Sequence, residues 1–439
     1  MRPRQARPRL LQAMMDAFTL PDLRQRILFT IGILVAFRFV AHVPLPGVNI
    51  DALQQLFESN ALLGMLDMFS GGAMRQLSIA AMGVYPYITA SIIMTLLVPV
   101  IPKLQAISQE GEAGRQRINV ITHWLTVPMA GLAGYGQLVY FQRQDPPAIS
   151  VTIALPMAAM VLSMIAGTML LVWLGELITE KGIGNGISII IFAGIVAGYW
   201  DLVGRGFIVG GQGQWGGLAA YVLIAVATIV LIVIFTEAHR RIPVQYAKSV
   251  FRGGRMYRQS GATHIPLRVN TAGMIPLIFA MSVVMFPGII ASYFVRGDTG
   301  FAATVYHMFN PSAALPMGLV YWLLYFLLTI GFAFFYTMVM FQQQDLPGVL
   351  QRQGGFIPGI RPGKNTKDYL DGVIKRITWA GALFLALVAV IPFLAQEITN
   401  VQALQLSSMG MLIVVGVVLD TMKQMEAQLI MRRYEGFIK

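Results

Sequence analysis

The chain contains no cysteine, which excludes disulfides, thiolate catalysis and iron–sulfur ligation. Charge is almost as scarce. Only 12% of the 439 residues are Asp, Glu, Lys or Arg, where a soluble protein carries roughly 25%. The five histidines (His42, His123, His239, His264 and His307) are scattered, without the convergent spacing that a metal site needs. No metal or cofactor is expected. No HExxH, nucleophile elbow or kinase signature occurs. The stretch around Gly363-Lys364 superficially suggests a phosphate-binding loop, but Pro358 stands where its first glycine belongs and Asn365 where Ser or Thr would hold magnesium. An enzyme is therefore not expected, and any work the protein does draws its energy from a partner or from the membrane potential.

What the chain has in abundance is apolar sequence, 56% of its residues. Ten runs, each near the length of about 20 residues that crosses a bilayer as a helix, lie near 27–43, 78–98, 120–141, 153–174, 184–203, 218–236, 272–292, 316–340, 377–395 and 406–422. They are too long for barrel strands and lack inside–outside alternation. The fold class expected is an all-α membrane protein of ten transmembrane helices. Between the spans, 27 of the 32 Lys and Arg fall on one side; Arg75, Arg143, Arg205 and Arg296 fall on the other, and Arg38 lies inside the first span. This positive-inside sorting puts both termini in the cytoplasm. The net charge of +12 thus reflects topology before any affinity for nucleic acid. The N-terminal stretch is basic but lacks the apolar core of a cleavable signal peptide. Leu10, Leu11, Met14, Met15 and Phe18 share a helical face and predict a short helix on the membrane surface.

Charge inside the spans is scarce: Arg38, Glu176 and Asp420 sit in or near span ends, where snorkelling or pairing satisfies them. Ion-coupled transporters place ionisable groups mid-membrane. A ten-span secondary transporter of a small solute is the alternative reading, and it lacks that feature.

Several segments are irregular. Residues 61–75 are apolar but too short to cross, and Gly71-Gly72 separates them from the next span; a re-entrant half-helix and an interfacial loop both fit. Pro86 falls inside the second expected span and predicts a bend. In GELITEKGIGNGIS, Gly182, Gly184 and Gly186 permit a tight turn and Asn185 caps the fifth helix. The 237–270 loop reads as two β-capable arms around Gly253-Gly254, a hairpin lined by Arg240, Arg241, Lys248, Arg252, Arg255, Arg258 and Arg268. With the basic 341–376 loop it offers a cytoplasmic surface for an acidic or phosphate-rich partner; a solvated loop that only enforces topology also fits.

The segments FRFVAHVPLPG, MFSGGAMRQLSIAAMGVYPYITASIIM, GEAGRQR, MLLVWLGELITEKGIGNGISIIIFAGIVAG, the RGGR hairpin, HIPLRVNTAGMIP and GGFIPGIRPGKNT together resemble the SecY family of protein-translocation channels, over nearly the whole chain. The resemblance implies two pseudo-symmetric five-helix halves, 1–203 and 204–439, and a lateral gate between the second and seventh spans. It implies a plug half-helix at 61–73 that includes Leu66, Asp67, Met68, Phe69 and Ser70. A hydrophobic pore ring carries over to Val84, Ile88, Ile191, Ile278 and Ile413, with Ile275 as a neighbour; Val84 departs from the commoner isoleucine. Thr95 and Asn185 carry over as polar gate positions, although the commoner residue at the former is glutamine. Arg241, Arg252, Arg255, Arg258, Arg361 and Lys364 carry over as docking positions for the ribosome or the SecA motor. The implied partners further include the small subunits SecE and SecG, signal sequences, unfolded preproteins and the lipid of an inner membrane.

Overall fold

The computed structural model describes residues 20–59, 67, 70–142, 147–149, 153–211, 215–252, 255–292, 300–310, 317–344, 346–399 and 408–435. The expected surface helix at 10–18 lies outside them. Among the described residues the chain is a succession of helices: α1 Pro21–Ala41, α2 Ile50–Ser59, α3 Tyr85–Val100, α4 Pro102–Gln109, α5 Glu112–Gln142, α6 Ala154–Lys181, α7 Gly186–Gly211 and α8 Trp215–Glu237. The strands β1 His239–Arg252 and β2 Arg255–Arg268 follow. Then come α9 Ile275–Ser292, α10 Phe301–Met308, α11 Gly318–Gln344, α12 Leu346–Arg352, β3 Gly355–Phe356, α13 Lys364–Thr399 and α14 Ser408–Glu435. Each of the ten expected spans overlaps one helix among the described residues: α1, α3, α5, α6, α7, α8, α9, α11, α13 and α14.

The helices read as membrane helices because both their faces are apolar. On α1, Ile33, Phe37 and Ala41 are buried at steps of four, while Leu28, Ile31, Val35 and Phe39 are exposed on the opposite face. On α8, Tyr221, Thr228 and Ile232 are buried, and Leu223, Val226, Val230 and Ile234 are exposed. A helix facing water would place polar residues there. By length and composition alone, α6, α8, Gly318–Arg352 and Lys364–Ile391 pass as complete spans among the described residues. The protein is a multi-pass membrane protein.

The second span begins later than its apolar letters suggest. Residues 71–84 form turns, and helix α3 starts only at Tyr85. Two backbone bonds explain the delay: Leu45 N–H donates to Leu77 O at 3.0 Å, and Ile79 N–H donates to Val43 O at 3.0 Å. Backbone groups that a helix would have used are thereby committed to residues 43–45, and Leu77 is held at φ +40. Pro86 accordingly lies in the first turn of α3, where its missing N–H is harmless; it is not the mid-helix bend expected from the sequence. The real bend lies at the other end, where α3 and α4 meet at 99° because Ile101, preceding Pro102, is extended.

The chain divides into two compact units, Met1–Phe207 with Ile413–Lys439, and Ile208–Leu412. In the first, Leu53, Leu77, Leu138, Phe141, Met160 and Met164 form a fully buried core. In the second, the two long basic loops build a sheet of order β2-β1-β3. The hairpin pairs His239 with Arg268 through to Arg252 with Arg255; the expected turn at Gly253-Gly254 lies outside the described residues. Gly355 and Phe356 add a third strand opposite Tyr246 and Gln245.

Candidate functional site

Of the five residues named for the expected plug, Asp67 and Ser70 are described; Leu66, Met68 and Phe69 lie outside the described residues. Both described side chains are buried, and they tie a polar knot. The Asp67 carboxylate meets Arg75 Nε at 2.7 Å and accepts from the Arg75 N–H and the Ser70 hydroxyl, each at 3.2 Å. The Asp67 carbonyl accepts from Ser70 Oγ at 2.9 Å and Gly72 N–H at 3.1 Å. Ser70 Oγ in turn accepts from Met74 N–H at 3.0 Å. Burial pushes the Asp67 carboxyl above its ordinary value, against the opposing pull of Arg75 and the bonds from Arg75, Ser70 and Met74. The knot is pressed against the first unit's helices at Gly71, whose φ is +69; a Cβ there would lie 2.8 Å from Gly194 Cα and 3.1 Å from Phe37 Cζ. Arg38 Nη1 donates to the Gly71 carbonyl at 2.6 Å.

Gly194 sits one turn after Ile191 on α7, among the buried Ile190, Ile191 and Ile195. Of the expected ring, Val84, Ile191 and Ile413 are buried in the first unit and Ile88 is half-buried there. Val84 is the residue that precedes α3 rather than a member of it. In the second unit Ile278 is buried and Ile275 half-buried. The same helix α9 exposes Val283, Phe286 and Ile290 at helical spacing, so Ile278 does not share its outward face.

Asn185 caps α7, its Oδ1 accepting from Ser188 N–H at 3.1 Å. Thr95 spends its hydroxyl on the Ser91 carbonyl within α3, at 2.8 Å. A polar chain that the sequence reading did not single out joins three helices: Tyr87 donates to Asn119 at 3.2 Å, and Asn119 donates to Glu176 at 2.9 Å. His123 Nε2 lies 3.0 Å from the same Glu176 oxygen. The available signal was Asn119 and His123 at i and i+4 on one helical face.

In the second unit, the loops that carry the expected docking positions share one support. Ile242 and Val244 of β1 pack with Phe341, Leu350, Ile357, Leu370, Val373 and Ile374, joining the two basic loops around one apolar core. Arg241 is exposed, its Nε donating to His239 Nε2 at 3.1 Å. Arg252, Arg255 and Arg258 lie near the hairpin tip by register. Arg361 is exposed on a turn whose carbonyl is held by the Thr366 hydroxyl at 3.0 Å. Lys364 is exposed at the first residue of α13, where the helix dipole adds to its positive field.

A family model described as SecY matches residues 78–422. The chain is similar to the protein translocase subunit SecY of Halalkalibacterium halodurans, 43% identical over 98% of this chain and 100% of the relative. Among solved structures it is similar to a SecY whose plug domain stabilises the closed state of the translocation channel and maintains a membrane seal. That likeness has a TM-score of 0.65 at 16% identity, covering 95% of this chain and 97% of the other. It is also similar to Sec61 of the canine ribosome–channel complex from the endoplasmic reticulum, with a TM-score of 0.62 at 16% identity over 95% and 97% of the two chains. The chain belongs to the SecY family.

Proposed function

We propose that this member of the SecY family is the pore-forming subunit of a protein-translocation channel. It passes unfolded secretory chains across the bilayer and releases apolar segments sideways. The observation that carries the reading is the knot of Asp67 with residues 70–75, seated by Gly71 against Gly194, one turn from the buried Ile191. A short non-spanning piece held by many bonds next to an apolar lining is what a reversible seal requires.

The ring then works by its lack of chemistry. Val84, Ile88, Ile191, Ile278 and Ile413, with Ile275 beside them, make an apolar constriction that disfavours water and ions. The constriction forms no specific hydrogen bond and so slides along any polypeptide. The plug, including Leu66, Asp67, Met68, Phe69 and Ser70, adds a second seal at rest. The lateral gate lies between α3 and α9, with Thr95 and Asn185 as its polar positions, and the two pseudo-symmetric halves are 1–203 and 204–439. A signal sequence leaves through that gate into lipid, driven by roughly 25 cal/mol per Å² of apolar area removed from water.

The cytoplasmic sheet is the docking platform for a ribosome or the SecA motor, with Arg241, Arg252, Arg255, Arg258, Arg361 and Lys364 as its contacts and SecE and SecG as companion subunits. Exposed cations bind anionic partners with strong salt dependence. The protein resides in the inner membrane with both termini cytoplasmic, which the sorted lysines and arginines support. The test is ion conductance in liposomes after deletion of residues 62–70. Weakly selective leak supports a plugged pore. Saturable uptake of a small solute without leak would replace it with a transporter.

A further inference from the structure

The charge in the first span has no role in the reading so far. We propose that Arg38 is the positioning residue that seats the plug, and that opening requires its bond to Gly71 to break; this rests on the channel reading above. A guanidinium inside an apolar span is costly and is retained only where it makes a defined contact. Here that contact is a peptide carbonyl 33 residues away, at 2.6 Å. The knot's own acid does not supply it, because Asp67 is engaged by Arg75. The arrangement is a clamp of three elements. Phe37 and Arg38 come from α1 and Gly194 from α7, and Gly71 is wedged between them with no room for a Cβ. Arg38 is half-buried, and its own backbone carbonyl is bonded to His42 Nδ1 at 2.7 Å, so both ends of the residue are fixed.

The geometry separates two kinds of restraint. Bonds among Asp67, Ser70, Met74 and Arg75 hold the knot in its own shape. The Arg38–Gly71 bond is different: it attaches the knot to the helical bundle. Opening the channel by displacing the plug can leave the first set intact, but it must break the second.

Because the chain has no cysteine, one introduced thiol reports on the seat without background. The reporter is Ala73→Cys, at a fully buried position, in the full-length protein reconstituted in liposomes and exposed to a membrane-impermeant maleimide. Resting ion leak is measured in parallel. Arg38→Leu is expected to raise both labelling rate and leak by at least about tenfold, the weight of one hydrogen bond to a charged group. Arg38→Lys restores a donor and is expected to remain near the parent. An unchanged thermal midpoint in Arg38→Leu distinguishes release of the plug from general loosening. Gly71→Ala attacks the same clamp from outside the span and is expected to give the same rise. If Arg38→Leu and Gly71→Ala both label as slowly as the parent while deletion of 62–70 leaks, the clamp is wrong and the channel reading stands. If the deletion itself does not leak, both fall.

Discussion

Asp67 with residues 70–75, and the sheet formed by 239–252, 255–268 and 355–356, both interrupt a helical membrane protein, and they are held in opposite ways. The first buries its polar groups: Asp67 and Ser70 are inside, satisfied by one another and by Arg75. The second packs its apolar Ile242 and Val244 against Leu370 and Ile374 of α13 and leaves Arg241 exposed, as are Arg361 and Lys364 in the loop and helix that follow β3. The difference suits the roles proposed for the two, a seal and a docking platform. A seal has to let go, and a knot of directional bonds is lost as a unit once its geometry is broken. A platform has to stay rigid under load from outside, and an apolar core holds through many small contacts that do not depend on alignment.

That contrast is open to direct attack. Leu370→Ala empties a fully buried position in the platform core and is expected to cost about 2–5 kcal/mol. It should loosen the hairpin and residues 355–356 together, read as faster amide exchange in both, with resting conductance unchanged. Asp67→Ala is expected to cost less, about 2 kcal/mol: a buried pair is broken, but the Arg75 side chain is 34% exposed and solvent takes up part of the loss. Its effect should appear as leak rather than as loosening of the loops. If Asp67→Ala loosens the hairpin, or Leu370→Ala opens the seal, the two regions are not independent. The smallest effect on stability belongs to Arg361→Glu. As an exposed substitution it should shift stability within about 0.5 kcal/mol, yet block export while the protein still inserts in the membrane. Normal secretion by this variant would remove Arg361 from the docking surface.

The helices were readable because an apolar run of span length admits few other structures, and the hairpin because Gly253-Gly254 sits between two β-capable arms. The cap at Asn185 was readable for the same local reason. What escaped is long-range. Nothing in LSIAAMGV says that residues 77–79 give their backbone to 43–45, so the start of α3 was misplaced and Pro86 was read as a bend. The third strand is two residues long, too short for any period to show. Arg38 was visible as a charge in a span, but its partner is a carbonyl, and every residue carries one.

The most direct test of the central claim is photocrosslinking from within the lining to a polypeptide arrested in transit. Probes placed at Ile191 and Ile278 should react with the arrested chain, and probes at Val283 and Phe286, exposed on α9, should react with lipid instead. Equal reaction of the passing chain at Val283 and Ile278, or none at Ile191, would contradict an apolar passage through this protein.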